Sequence, residues 1–247
     1  MVVESFTKLL NESIKSFREH FNLIIKVSIF LYFIPNVIIE LIQIYYYNIF
    51  KTGIKHFLID IPAGIASGIT YFLLIFTIIK IIALKKKKKE ITFSEAIKFA
   101  SEHFLPGLIL LIKISFFLFF LYMLFIIPGI IFSIFWVFSF YALINDNVDV
   151  KEAMGHSKKV VKGRWFKVFW YVFLPGLIIT LLRFSISYFF SLYKGLSLSQ
   201  YLTMFNNHVP SVTIPVTILF LILDILYVPF LVIFLEKFYV NQLTTCP

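Results

Sequence analysis

Residues 104–145 read FLPGLILLIKISFFLFFLYMLFIIPGIIFSIFWVFSFYALIN. One charged side chain, Lys113, interrupts this stretch, and Ile127-Pro128-Gly129 near its middle leaves room only for a tight turn. The runs on either side, 104–126 and 128–145, are each close to the ~20 apolar residues that a helix needs to cross ~30 Å of hydrocarbon. Joined so closely, they are expected to form a hairpin. Strict two-residue alternation is absent, which favours helices, whose backbone hydrogen bonds are satisfied internally in lipid, over barrel strands.

Working outward, the same reading yields four more spans, at 22–46, 58–84, 166–190 and 212–239. The composition agrees. A chain of 247 residues that is 60% hydrophobic and 15% charged, with mean hydropathy +0.92, has too little polar surface for a soluble globule. The expected fold is therefore all-α: a polytopic integral membrane bundle of six transmembrane helices forming a single domain over 1–247. The net charge of +10 is spread between apolar runs instead of forming a groove-sized basic patch, so nucleic acid is not an expected partner. The lone Cys246 excludes an internal disulfide or a Cys-rich metal site, and it lacks the spacing of a prenylation box. The first twenty residues, MVVESFTKLLNESIKSFREH, are polar and do not resemble a cleavable leader. The first span is expected to remain in the mature protein.

Positive charge gives these spans a direction. One set of connecting segments holds Lys8, Lys15 and Arg18, then Lys85, Lys86, Lys87, Lys88 and Lys89 with Lys98, then Lys151, Lys158, Lys159, Lys162 and Arg164. The opposite set holds only Lys51, Lys55 and Lys194. An imbalance of fourteen to three places both termini in the cytoplasm. The polylysine run then faces anionic headgroups on the cytoplasmic side, where each basic residue contributes about 1 kcal/mol of attraction. Lys85 to Lys89, together with Lys162, Arg164 and Trp165, are candidate headgroup or phosphate contacts. Arg164 and Trp165 would serve equally well as interfacial anchors.

Before each odd-numbered span lies a segment with apolar residues at helical spacing. Phe6, Leu9, Leu10, Ile14, Phe17 and Phe21 mark the first; Phe93, Ala96, Ile97, Ala100 and Phe104 the second; Val150, Ala153, Met154, Ser157, Val161 and Trp165 the third. These predict three amphipathic helices on the cytoplasmic surface. Thr92 to Glu95 and Asp149 to Glu152 have capping-box spacing. Asn11-Glu12-Ser13-Ile14-Lys15 answers Ser94-Glu95-Ala96-Ile97-Lys98, and Glu19-His20-Phe21 answers Glu102-His103-Phe104 in the same register. Pro62, Pro128 and Pro215 stand at the openings of the even-numbered spans, where proline suits a first helical turn. The pattern predicts three repeats of surface helix, span and span, at about 4–84, 92–145 and 149–240, arranged in parallel about an axis along the membrane normal.

The stretch Ile126-Ile127-Pro128-Gly129-Ile130-Ile131, followed by Trp136, Tyr141 and Asp146 at five-residue steps, by Glu152-Ala153, and by Ser157 with Lys162-Gly163-Arg164-Trp165, resembles the membrane domain of glycerophosphoryl diester phosphodiesterases and its stand-alone prokaryotic relatives. Pro229-Phe230 and Phe238-Tyr239 fit the last helix of that family more loosely. The resemblance covers about a third of the chain. It implies a six-helix membrane fold and a prokaryotic plasma membrane. It does not imply catalysis, because the chemistry of that family belongs to a separate soluble barrel for which this chain has no room. Read without the family, Asp146 and Asp149 in NDNVD make a turn and an N-cap, with divalent-cation binding as the alternative, one that would need more convergent oxygens, and Gly163 lets the chain re-enter the membrane.

Ionisable groups inside spans are costly unless paired, hydrated or able to reach the interface. Lys26, Lys80, Lys167, Glu236 and Lys237 lie near cytoplasmic ends. Glu40, Asp60 and Arg183 lie toward the outer side, where Arg183 can pair with either acid or extend outward. Counting along each helix places Lys113 and Asp224 at matching depth, ~14 Å and ~12 Å from the cytoplasmic side. They are expected to pair, or to line one polar cavity, as a structural ion pair or as a pathway for a proton, ion or headgroup. Gly64 and Gly68 provide a small-residue surface for close helix packing.

No phosphate-binding glycine loop, paired-His zinc motif or nucleophile elbow is present, and the five histidines are scattered. The expected role is non-catalytic and free of cofactors: a lipid-associated scaffold or accessory subunit with a possible membrane-protein partner. The alternative is a transporter or flippase for a lipid or small anionic solute that uses the Lys113 and Asp224 layer.

Overall fold

The computed structural model describes residues 6–49, 54–86, 91–206 and 210–244. Among them the regular structure is helical throughout: α1 (Phe6–Glu19), α2 (Phe21–Ser28), a π-helical turn (Ile29–Phe33), α3 (Ile34–Ile49), α4 (Ile54–Lys86), α5 (Phe93–Glu102), α6 (Phe104–Leu124), α7 (Ile126–Phe135), α8 (Ser139–Asn145), α9 (Ala153–Val161), α10 (Trp165–Tyr193), α11 (Leu198–Asn206) and α12 (Pro210–Thr244). Among the described residues, six helical segments are long and apolar enough to cross a membrane: Phe21–Tyr46, Leu58–Leu84, Phe104–Leu124, Ile126–Asn145, Trp165–Tyr193 and Val212–Leu243. All six fall where hydropathy placed them. A multi-pass membrane protein is the architecture they suggest.

The chain divides into two compact units. The first holds 1–24, 75–175 and 230–247; the second holds 25–74 and 176–229.

In the first unit, α1, α5 and α9 occupy the three segments whose apolar spacing predicted helices. Each turns some residues inward: Leu9, Ser13 and Ser16 on α1, Ala96, Phe99 and Ala100 on α5, Ala153, Met154, Ser157, Val160 and Val161 on α9. The capping box at Thr92 forms as expected: Thr92 Oγ1 accepts from the Glu95 N–H at 3.3 Å, and Glu95 Oε2 accepts from the Thr92 N–H at 2.8 Å. The second expected box does not. α9 starts after Glu152 with no side-chain cap, and Asp149 acts through its backbone carbonyl, which accepts from the N–H groups of Glu152 and Ala153.

The junctions α1/α2 and α5/α6 are built alike. His20 Nδ1 lies 2.6 Å from the Ser16 carbonyl and His103 Nδ1 lies 3.3 Å from the Phe99 carbonyl, so each ring stands over the last turn of the preceding helix. The link between α9 and α10 instead uses Gly163 at φ 80°, a left-handed conformation that favours glycine.

The α6–α7 connection is tighter than the sequence implied. It is the single extended residue Phe125, and Pro128 already stands in the first turn of α7, where its missing N–H costs nothing. Gly129 is needed for the arms to meet, because a Cβ there would overlap the Tyr122 ring. Pro62 and Pro215 do not open their helices; both lie inside continuous ones, α4 and α12. Gly64 and Gly68 do not serve a close approach either. A Cβ on either would meet nothing within 4 Å among the described residues of this chain, so neither packs there against a neighbouring helix of the same chain.

Candidate functional site

In the second unit the apolar spans enclose a set of polar side chains. Its centre is Asp224 on α12, 5% exposed. Arg183 on α10 forms an ion pair with Asp224 Oδ1. The Tyr32 hydroxyl donates to Asp224 Oδ2 at 2.8 Å, so each carboxylate oxygen has a partner of its own. The Arg183 guanidinium also lies 5.5 Å from the centroid of the Phe220 ring, within cation–π range.

The local backbone explains how Tyr32 is presented. Pro35 follows the π-helical turn; it has no N–H, and its ring crowds the carbonyl one turn back, a conflict that a wider turn relieves. The Ile34 N–H accordingly bonds the Ile29 carbonyl, five residues back. Asn36 completes the repair. Its Nδ2 donates to the Tyr32 carbonyl at 2.8 Å and to Thr70 Oγ1 at 2.8 Å, tying the π turn to α4. Tyr71, next along α4, stacks edge-on against Tyr32 with 6.0 Å between centroids. Arg183 Nε and the Tyr227 hydroxyl are buried without a hydrogen-bond partner among the described residues.

Lys113 and Asp224, expected to pair or to line one polar cavity, each have described partners of their own. Asp224 is held by Arg183 and Tyr32, whereas Lys113 Nζ donates to the Lys151 carbonyl at 3.4 Å in the first unit. Depth counted along a helix fixes neither the direction of a side chain nor the level at which the helix starts. Arg183 takes neither Glu40 nor Asp60 as its ion-pair partner. Asp60 Oδ1 instead accepts from Gln43 Nε2 at 3.2 Å.

That Gln43–Asp60 contact borders a cavity of about 530 Å³ between residues 39–46 of α3 and 58–66 of α4. Ile39, Ile42, Ile59, Pro62, Ala63 and Ala66 line most of it. Its size is within the range of small-ligand pockets, and its lining is nearly all hydrocarbon. An apolar chain would fit it; a hydrated ion would not.

In the first unit Tyr141, Asp146 and Arg164 meet α12, while Ser157 and Trp165 bond α7 and the break that follows it. The Tyr141 hydroxyl donates to the Val232 carbonyl at 3.1 Å, and the Tyr239 hydroxyl donates to Asp146 Oδ2 with His156 Nδ1 at 3.3 Å. Ser157 Oγ donates to the Phe135 carbonyl at 2.7 Å and accepts from the Phe138 N–H at 3.1 Å, which joins α9 to the break between α7 and α8. Arg164 Nη1 donates to Gln242 Oε1 at 2.6 Å, and Trp165 Nε1 donates to the Ile131 carbonyl at 3.0 Å. Arg164 and Trp165 thus have internal partners, while Lys162 stands exposed at the end of α9. Lys85 and Lys86 are the last residues of α4, with their side chains outside the described set, and Lys87, Lys88 and Lys89 lie outside the described residues altogether.

Tyr32 and Asn36 lie beyond what the sequence reading singled out. The available signal was Pro35-Asn36, a helix breaker beside an amide inside an apolar run. Comparison with protein-family models, with curated proteins and with solved structures gave no match for this chain.

Proposed function

We propose that this chain is a non-catalytic, lipid-associated multi-pass membrane protein that acts as a scaffold or accessory subunit through its basic helices. The observation that carries the reading is the cavity between α3 and α4. Its aliphatic lining and absence of a lining charge suit a lipid acyl chain. The Asp224 cluster supports a structural role for the polar layer, since both carboxylate oxygens are occupied within the protein. The excess of Lys and Arg in one set of connecting segments supports cytoplasmic termini facing anionic headgroups. The matching His20 and His103 junctions support at least a two-copy relationship within the proposed three-fold repeat. The resemblance to the phosphodiesterase membrane domain supports a prokaryotic plasma membrane as the home.

The test is mass spectrometry of lipids that copurify in mild detergent, comparing the native chain with Ala63→Phe, which fills the cavity. The reading predicts a bound lipid in the native chain and its loss in the variant at unchanged fold. Equal lipid content in both would overturn it.

A second reading, transport of a lipid or small anionic solute, is favoured by one feature. The Arg183 side chain is 39% exposed and binds Asp224 through one guanidinium nitrogen, which leaves further N–H donors for an anion. Anion flux in proteoliposomes that disappears in Arg183→Met at unchanged fold would favour transport over scaffolding.

A further inference from the structure

The turn at Phe125 is surrounded by hydrocarbon side chains. From Phe116 to Phe132 the sequence has no charged residue, and Tyr122 carries its only hydroxyl. Met123, Leu124, Phe125, Ile126 and Ile127 are 68–75% exposed. Each such side chain prefers burial by ~1.5–3 kcal/mol, so five of them oppose emergence into water by on the order of 10 kcal/mol. An ordinary aqueous loop is excluded on that ground.

Charged neighbours limit how far the turn extends. On the outgoing arm Lys113 reaches the Lys151 carbonyl, twelve residues before Phe125. On the returning arm the Lys158 ammonium stands 5.6 Å and 5.8 Å from the ring centroids of Phe132 and Phe135, and Trp165 bonds the Ile131 carbonyl. Lys151 and Lys158 are exposed, which in a membrane protein requires water or headgroups around them. At 1.5 Å per residue, Phe125 then lies only ~18 Å beyond Lys113 and ~10 Å beyond Phe132. A crossing needs ~30 Å. An extended lysine side chain shifts its charge by less than its own length and does not close that gap.

We propose that α6, α7 and α8 form a re-entrant hairpin. It enters from the face that carries Lys151 and Lys158, turns at Phe125 among lipid acyl chains and returns to the same face. The chain then crosses the bilayer four times instead of six. Because the hairpin ends where it began, the sidedness of the flanking segments is unchanged.

A turn inside hydrocarbon must leave few backbone groups unpaired. This one confines the non-helical backbone between α6 and α7 to a single residue. Phe125 alone lies outside the helices; its N–H bonds the Leu121 carbonyl at 3.0 Å and its own carbonyl accepts from the Gly129 N–H at 3.4 Å. Pro128 has no N–H to leave exposed. The glycine at 129 lets the two arms close over the Tyr122 ring.

The proposal rests on residence in a bilayer, and the experiment separates the two. Single cysteines are placed by Phe125→Cys, Ile127→Cys, Lys151→Cys and Lys194→Cys in a Cys246→Ser background, and the full chain is reconstituted into sealed phosphatidylethanolamine–phosphatidylglycerol vesicles. A membrane-impermeant maleimide is applied from each face. The expected result is labelling of Lys151→Cys from one face only, labelling of Lys194→Cys, and none of Phe125→Cys or Ile127→Cys from either face. A fluorophore coupled at 125 or 127 in detergent before reconstitution is then quenched more strongly by nitroxides deep in the acyl chains than by shallow ones. Labelling of either tip cysteine from the face opposite Lys151 would show a full crossing and overturn the proposal. Labelling from the Lys151 face, or stronger quenching by shallow nitroxides, would overturn it equally. Uniform labelling at all four positions from both faces would instead contradict bilayer residence itself.

Discussion

Arg183 on α10 and Asp224 on α12 form an ion pair in the interior of apolar spans, and the two partners are unequally shielded: 39% exposed for the arginine side chain and 8% for the aspartate. The asymmetry decides which partner is harder to lose. An isolated buried carboxylate has nowhere to go, whereas the guanidinium can extend toward the interface.

Arg183→Met is therefore expected to destabilise by about 3 kcal/mol and Asp224→Asn by about half as much. The combined Arg183→Met/Asp224→Asn variant recovers most of the loss, because no unpaired charge remains. Thermal unfolding in detergent measures the order; equal single-variant losses that add in the double would contradict it.

Tyr32→Phe removes the donor to Asp224 Oδ2 and nothing else of comparable size. A hydrogen bond to a charged group contributes ~1.5–3 kcal/mol. The loss should fall in that range in the native background and shrink when Asp224 is already Asn, a coupling that a double-mutant cycle reads directly.

Gly129→Ala drives a methyl group into the Tyr122 ring. Overpacking of this kind costs ~1–3 kcal/mol. Tyr122→Ala in the same chain should restore much of the stability, and a Gly129→Ala variant as stable as the native chain would mean that the arms of the hairpin are not in contact.

Ser157→Ala deletes a bond to the Phe135 carbonyl and strands the Phe138 N–H at the break between α7 and α8. A buried donor without a partner costs ~1–3 kcal/mol. Hydrogen exchange should show faster opening at Phe138 in the variant, with α5 unaffected.

The six long apolar helices were legible because hydropathy integrates over twenty residues and tolerates local error. The capping box at Thr92 was legible because two side chains three residues apart suffice to build it. Other features required knowledge of direction. Arg183 and Asp224 sit 41 residues apart, and the aspartate chose its partner by azimuth, which depth along a span does not encode. Tyr32 entered the cluster through a π-helical turn in front of Pro35, and a regular helical count would aim that side chain elsewhere. Arg164 and Trp165 read as interfacial anchors in isolation, yet the structure gives them Gln242 and Ile131, partners that no local pattern announces.

The central claim is that lipid is the solvent of this chain. Size-exclusion chromatography of the purified protein, repeated as detergent is withdrawn below its micelle concentration, tests it most directly. A chain that needs lipid as its solvent should run as a single symmetric species in detergent or lipid nanodiscs and be lost to aggregate once amphiphile is gone. A monodisperse, folded protein in plain buffer would contradict it.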